Sequence, residues 1–231
     1  IYNPDTKFYE YDSVYQKIDI ENFKSGDKGA WRPFQIAFIL SAIKSSVTQD
    51  DSYRENVELI FFPTGGGKTE AYLGLSAFVC FYNRLLNNSD NGVQVLMRYT
   101  LRLLTAQQFT RAASLICSME LIRKENIDQL GNKEYSIGVW LGSANTPNDR
   151  TTAINNLSEL RKKQKKGKKE YPFLLSKCPC CSSVMGPIDN SYNHSNHLNF
   201  VGLDKIDNTV RFKCHDSDCE FHEEPLPIYV I

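Results

Sequence analysis

The stretch Pro63-Thr64-Gly65-Gly66-Gly67-Lys68-Thr69 decides the fold. It follows a short apolar run at residues 57–62 and precedes a helical pattern at residues 69–86. Successive glycines let backbone N–H groups turn toward one anion, and the helix that follows adds its positive N-terminal dipole. We therefore predict a phosphate-binding loop in which Lys68 reaches phosphate and Thr69 places its hydroxyl on Mg²⁺. The alternative is a glycine-rich turn with an incidental Lys-Thr pair.

Apolar runs and helical patterns alternate around this loop. Strands are predicted at residues 57–62, 93–97, 135–141 and 226–231, and helices at residues 33–43, 69–86 and 103–123. This order is typical of an α/β fold, a parallel sheet with helices on both faces.

Composition excludes several protein classes. Hydrophobic residues make up 41% of the 231 residues, enough for a core, so the chain is not disordered. The 27 basic and 27 acidic residues give zero net charge, so nucleic acid can bind only at a local patch. The longest apolar run, residues 71–82, is too short to span a bilayer, and no membrane partner is expected.

Two polar groups accompany the loop. Gln35, with Arg32 nearby, can donate and accept hydrogen bonds as recognition of an adenine edge requires, although a surface glutamine at a helix start is the alternative. Arg102 and Gln107, with Arg98 and Thr100 just upstream, follow a predicted strand and suit phosphate contacts. Ordinary polar capping of a helix would explain them equally well.

These segments carry a family resemblance. Residues 32–35, 63–70 and 102–107 resemble the Q motif, motif I and motif Ia of superfamily 2 helicases. The longer run at residues 95–109 is similar to the large helicases of bacterial anti-phage defence, those of DISARM first and those of Druantia second. The match covers about residues 31–145 and the last strand. It departs at Phe62, where relatives carry a small residue, and at Thr100-Leu101, where they carry Pro-Thr.

The resemblance implies an N-terminal RecA-like P-loop lobe that binds ATP, Mg²⁺ and nucleic acid, with DNA the expected strand. The ATP-binding residues would be Arg32, Gln35, Thr64, Gly65, Gly66, Gly67, Lys68, Thr69 and Glu70. The nucleic-acid-binding residues would be Arg98, Thr100, Arg102 and Gln107.

Such helicases also carry an Asp-Glu pair at a strand end, where it orients Mg²⁺ and water. The last predicted strand ends at Ile231, and Glu223-Glu224 precedes it, so the catalytic carboxylates are expected just after Ile231. The expected partners are nucleic acid, a second helicase lobe and other defence subunits. Without the second lobe and the Asp-Glu pair, the 231 residues are expected to bind ATP but not to hydrolyse it.

The cysteines indicate a metal site. Five of seven lie at residues 178–219, which favours a reduced, cytoplasmic setting and a metal over disulfides. Cys178 with Cys181 and Cys214 with Cys219 form two short-spaced pairs that suit tetrahedral, structural Zn²⁺. One alternative is that the thiols bind no metal. Another is a different ligand set, in which Cys180 replaces Cys178 or Cys181, or His215 or His222 replaces a cysteine. Cys80 and Cys117 lie on apolar helix faces and are predicted core residues.

The predicted organisation is a lead-in at 1–30, a RecA-like lobe at 31–149, a basic linker at 150–176, a zinc-binding insert at 177–222 and a returning strand at 223–231. The basic run at residues 161–169 is interpreted as a solvated loop, with a phosphate-contacting arm as the alternative. Two other functions compete with the helicase: a non-translocating P-loop NTPase, and a non-enzymatic zinc-ribbon module that binds nucleic acid.

Overall fold

Helices dominate the structure, a computed structural model that describes residues 2–3, 8–9, 31–61, 66–87, 92–99, 102–140, 147, 149–165, 175–188 and 199–229. The helices are α1 Pro33–Val47, α2 Lys68–Asn87, α3 Arg102–Glu125, α4 Ile127–Leu130 and α5 Arg150–Lys165. The strands are β1 Tyr2–Asn3, β2 Phe8–Tyr9, β3 Ile137–Gly138, β4 Gly186–Ile188, β5 Asn199–Val201, β6 Leu203–Ile206, β7 Thr209–Phe212 and β8 Ile228–Tyr229.

The chain divides into two compact units. The first comprises residues 1–15, 100–121 and 134–231, and the second comprises residues 16–99 and 122–133. None of the described helices combines the length and apolar character needed to cross a bilayer.

Helices α1 and α2 pack together in the second unit. Ala42 on α1 and Ala71 on α2 are 1% and 0% exposed, so small side chains lie inside this unit. A methyl group on Gly74 would overlap the ring of Trp31, so glycine allows the indole to lie against α2. The buried Arg84 donates hydrogen bonds to the carbonyls of Leu130 and Lys133, which fastens α2 to the turn around α4.

The first unit has an apolar core between α3, α5 and the short strands. Its buried members include Phe109, Ala113, Cys117, Ala153, Leu157, Leu175, Met185, Leu203, Phe212, Phe221, Leu226 and Ile228. Cys117 is 1% exposed, which confirms its prediction as a core residue, and burial raises the pKa of its thiol.

A small parallel sheet joins the two strands predicted at residues 135–141 and 226–231. Strand β3 pairs with β8, with Ile137 opposite Ile228 and Gly138 opposite Tyr229. The remaining sheets are antiparallel pairs, β1 with β2, β4 with β5, and β6 with β7. A parallel component is thus confirmed, whereas the wider sheet of a RecA-like fold stays a prediction.

Two predicted strands are corrected. The structure assigns no strand to residues 57–61, the described part of the run predicted at 57–62, or to residues 93–97. Val57, Leu59 and Phe61 are 93%, 82% and 92% exposed rather than buried. A parallel strand is buried only where neighbouring strands and helices cover it, and these segments have no strand partner within the described residues.

Helix α5 stands where the sequence predicted the start of a basic linker. Ala153, Leu157 and Leu160 are buried at helical spacing, so the segment has an apolar stripe despite its charge. Asp149 caps the helix by accepting hydrogen bonds from the N–H and hydroxyl of Thr152, and these bonds lower the pKa of Asp149.

The basic run is also partly structural. Arg161, its first residue, donates to the carbonyl of Leu203 and pairs with Asp204 at 2.8 Å, which ties α5 to β6. The prediction of a solvated loop is therefore wrong for Arg161.

Candidate nucleotide and metal sites

The start of α1 contacts the glycine loop in the second unit. Gln35 is 4% exposed, and its Oε1 accepts the N–H of Arg32 at 2.7 Å. Its Nε2 donates to the carbonyl of Gly67 at 2.7 Å, and the Arg32 guanidinium donates to the carbonyl of Gly66 at 2.8 Å. The structure thus brings the predicted pair Arg32 and Gln35 to the predicted loop.

These contacts orient the loop backbone. In a planar trans peptide, the C=O and the N–H of one unit point in opposite directions. The side chains of Arg32 and Gln35 hold the carbonyls of Gly66 and Gly67, so the N–H groups of Gly67 and Lys68 point away from those side chains. These two N–H groups therefore face the outer side of the loop, the orientation that an anion-binding turn requires.

Gly67 can be only glycine here. Its φ is +92°, and a Cβ at this position would lie 2.6 Å from Nε2 of Gln35. Lys68 then begins α2, and Thr69 and Glu70 lie in its first turn. A glycine cradle, a helix start and a lysine are the donor set that suits a nucleotide phosphate. Thr64 and Gly65 lie outside the described residues.

The hydroxyl of Thr69 is already oriented. Tyr72, one turn further along α2, donates to Oγ1 of Thr69 at 3.0 Å. The hydroxyl of Tyr99 donates in turn to that of Tyr72 at 3.4 Å. Sequence reasoning missed both tyrosines, although Tyr72 stands three residues after Thr69, the spacing at which helix side chains meet.

The predicted nucleic-acid residues fall in both units. Arg98 is exposed in the second unit, and Gln107 is exposed on α3 in the first. Thr100 lies outside the described residues, as does the side chain of Arg102, the residue at which α3 begins. Their joint contact with nucleic acid stays a prediction.

The first unit gathers four thiols at one point. The Sγ atoms of Cys178, Cys181, Cys214 and Cys219 all lie within 4.8 Å of one another. The distance is 3.9 Å between the Sγ atoms of Cys178 and Cys219, and 3.4 Å between those of Cys181 and Cys214. A tetrahedron with Zn–S bonds of about 2.3 Å has edges of about 3.8 Å. These four cysteines, the pairs chosen from sequence spacing, could therefore hold a zinc ion.

Tight turns present the thiols. The carbonyl of Cys178 accepts the N–H of Ser182, and the carbonyl of Ser183 accepts the N–H of Cys178, both at 2.8 Å. In the second turn, the N–H of Cys219 donates to the carbonyl of Asp216 at 3.1 Å. Ser182 has a φ of +66°, which closes the first turn behind its two cysteines. Cys180, His215 and His222, the alternative ligands, lie outside the four-thiol group.

Proton sharing makes the cluster ready for a cation. Hydrogen bonds from Cys178, then from Cys214 and Cys219, lower the pKa of Cys181. The pKa of Cys178 is raised, with the hydrogen bond to Cys181 as the largest cause and that to Cys214 as the next. Metal ligands must be deprotonated, so a lowered pKa at Cys181 favours a cation among these four thiols.

A buried polar contact joins the two turns. Ser183 and Asp216 are each 6% exposed, and the Ser183 hydroxyl donates to Oδ2 of Asp216 at 2.5 Å. The same hydroxyl lies 2.9 Å from Sγ of Cys181, and Oδ1 of Asp216 accepts the N–H of Asp218. This contact holds one cysteine turn against the other, and sequence spacing gave no sign of it.

We expect one zinc ion per chain in the purified protein, because four converging thiolates satisfy its tetrahedral preference. Cys214→Ser combined with Cys219→Ser should abolish zinc retention, measured by metal analysis after gel filtration. Cys80→Ser, outside the cluster, is the matched control and should keep the ion. Zinc content near zero in the unaltered chain would contradict the assignment.

Asp216→Asn and Ser183→Ala should each weaken zinc binding by about 10–100-fold, the usual effect of losing a partner behind a ligand. Stoichiometry should stay at one, because all four thiols remain. Competition with a chromogenic chelator measures the affinity, and Asp218→Asn, exposed in the same turn, serves as control. Equal affinities in all three variants would show that the contact does not organise the site.

Comparison with known proteins supports one part of the sequence interpretation. No family model matches the sequence, and no solved structure matches it. The chain is 35% identical over 210 residues to the DISARM protein DrmA of Bacillus paralicheniformis. The alignment covers 87% of this chain and 18% of that protein, so the chain spans under a fifth of the curated relative it matches. The predicted resemblance to the DISARM helicases is thus confirmed as a resemblance to DrmA.

Proposed function

We propose that the chain is the first, ATP-binding motor lobe of a superfamily 2 helicase or translocase that acts on DNA in bacterial anti-phage defence. The observation that carries the proposal is the contact of Gln35 and Arg32 with the Gly66–Gly67 carbonyls. This contact brings residues 32–35 to the glycine loop, although the two motifs are more than 30 residues apart in the sequence. The resemblance to DrmA supports the defence role.

Gln35 retains the capacity to recognise adenine. A glutamine amide offers two N–H donors and two acceptor lone pairs. Contacts with Arg32 and Gly67 use one of each. One donor and one acceptor remain, the pattern that an adenine edge requires. We therefore propose ATP as the ligand in place of an unspecified polyphosphate, with the largely buried amide of Gln35 turned toward the base when ATP binds.

The thiol cluster has a structural role in this proposal. Four thiolates fill the coordination of Zn²⁺ and leave no position for a substrate. Cys178, Cys214 and Cys219 belong to the same apolar core as α3 and α5. A free-standing nucleic-acid-binding zinc ribbon would leave the glycine loop and its contacts unexplained.

Lys68→Ala should reduce affinity for ATP and its non-hydrolysable analogues by at least tenfold, because phosphate charge would lose a close cation. Lys44→Ala is the matched control, since Lys44 is an exposed lysine of the same unit whose 3.0 Å ion pair with Asp51 lies outside the glycine loop. Calorimetric titration of the chain measures both affinities. Equal binding by Lys68→Ala and the unaltered chain would refute the nucleotide site.

Arg98→Ala should weaken binding to unrelated DNA sequences about equally and lower the salt slope by about one, because a backbone contact carries no base information. Fluorescence anisotropy with two oligonucleotides at several salt concentrations measures both quantities. Lys44→Ala again controls for the loss of one surface charge. Loss of affinity for only one of the two sequences would contradict a backbone contact.

A further inference from the structure

Two tyrosine hydroxyls connect the proposed nucleic-acid segment with the proposed Mg²⁺ ligand. The hydroxyl of Tyr99 donates to that of Tyr72 at 3.4 Å, and Tyr72 donates to Oγ1 of Thr69 at 3.0 Å. All three residues belong to the second unit. Neither tyrosine has a part in nucleotide or nucleic-acid binding as proposed so far.

Tyr72 leaves Thr69 the bonding capacity that a cation needs. A threonine hydroxyl offers one donor and two acceptor lone pairs. Tyr72 occupies one lone pair, so the other remains for a divalent cation and the proton remains for a phosphate oxygen. Because Tyr72 stands three residues after Thr69 on α2, the helix itself fixes this contact.

Tyr99 gives the chain of hydroxyls its direction. It is half-buried, whereas the adjacent Arg98 is exposed. A phenol is protonated at neutral pH, and burial and the contact with Tyr72 raise the pKa of Tyr99 further, so its hydroxyl can act as a donor. Each O–H therefore donates to the next group and polarises it. A displacement of the backbone at Arg98 would move Tyr99 away from Tyr72.

We propose that Tyr72 and Tyr99 are positioning residues that couple nucleic-acid contact at Arg98 to the orientation of the Mg²⁺ ligand Thr69. The inference rests on the proposed function and names a physical route within it. Coupling between two ligands is reciprocal, so DNA should tighten Mg²⁺-nucleotide binding by the same factor by which the nucleotide tightens DNA binding.

The test measures that factor. The chain is titrated with the Mg²⁺ complex of a non-hydrolysable ATP analogue, with and without a saturating single-stranded oligonucleotide. In the unaltered chain we expect a ratio of affinities of about 5–150-fold, the usual range of coupling. In Tyr72→Phe and Tyr99→Phe the ratio should fall close to one, because each variant keeps its ring and loses only a hydroxyl.

Two controls separate coupling from folding. Tyr82→Phe removes a hydroxyl from the same helix, where the Tyr82 ring stacks on Phe78, and it should keep the full ratio. In EDTA, affinity for the analogue should differ far less among Tyr72→Phe, Tyr99→Phe and Tyr82→Phe, because EDTA removes the Mg²⁺ that Thr69 would hold.

The outcomes distinguish this inference from the function on which it rests. A chain that binds both ligands but keeps the same ratio in Tyr72→Phe overturns the inference and leaves the function standing. A ratio of one in the unaltered chain also overturns it. Loss of nucleotide binding in Tyr82→Phe and Tyr72→Phe alike would assign the effect to folding of α2 and overturn the positioning role. Unchanged nucleotide binding by Lys68→Ala would instead refute the function itself.

Discussion

The convergence of four cysteine thiols inside an apolar core is the constraint on which the first unit depends. The turns that carry these cysteines have little regular structure, and the neighbouring strands β4–β7 are three or four residues long. Such short hairpins are marginal by themselves in water. Cys178, Cys214 and Cys219 nevertheless belong to one buried cluster with Phe212 and Phe221. A zinc ion held by these thiols would supply the cross-links that short hairpins lack.

The second unit applies the same principle to backbone groups. A glycine loop has many accessible conformations, and freezing it costs more entropy than freezing any other kind of residue. The side chains of Arg32 and Gln35 reduce that freedom by holding the carbonyls of Gly66 and Gly67. The donors of the loop are then oriented before any anion arrives. In both units, side chains distant in sequence orient the binding groups: Arg32 and Gln35 orient the glycine loop, and the Ser183–Asp216 contact joins the two cysteine turns.

Periodicity and spacing predicted part of this arrangement. The helices expected at residues 69–86 and 103–123 are present as Lys68–Asn87 and Arg102–Glu125, because apolar periodicity reports which face a helix buries. The cysteine pairs were found for a similar reason, since short turns fix the separation of two thiols.

Other features could not be read from the sequence. An apolar run such as residues 57–61 indicates that a segment tends to be buried. It does not indicate which strand or helix would cover it. Helix α5 was missed because lysines dominate the composition of its end and conceal the stripe of Ala153, Leu157 and Leu160. The Ser183–Asp216 contact joins residues 33 positions apart, and no spacing rule predicts a hydrogen bond between two unrelated turns.

Helix α3 connects the thiol cluster with two of the residues proposed to bind nucleic acid. The helix begins at Arg102, and Gln107 is exposed on its surface. Phe109, Ala113 and Cys117 of the same helix lie in the core that contains the thiols. A zinc ion held by these thiols would lie beside that core and not at the exposed face of α3. It would act by fixing the buried face of α3, because the exposed face of a rigid helix is fixed along with the buried one. The metal and the residues proposed to bind nucleic acid on α3 would then depend on each other through packing, with no ligand shared between them.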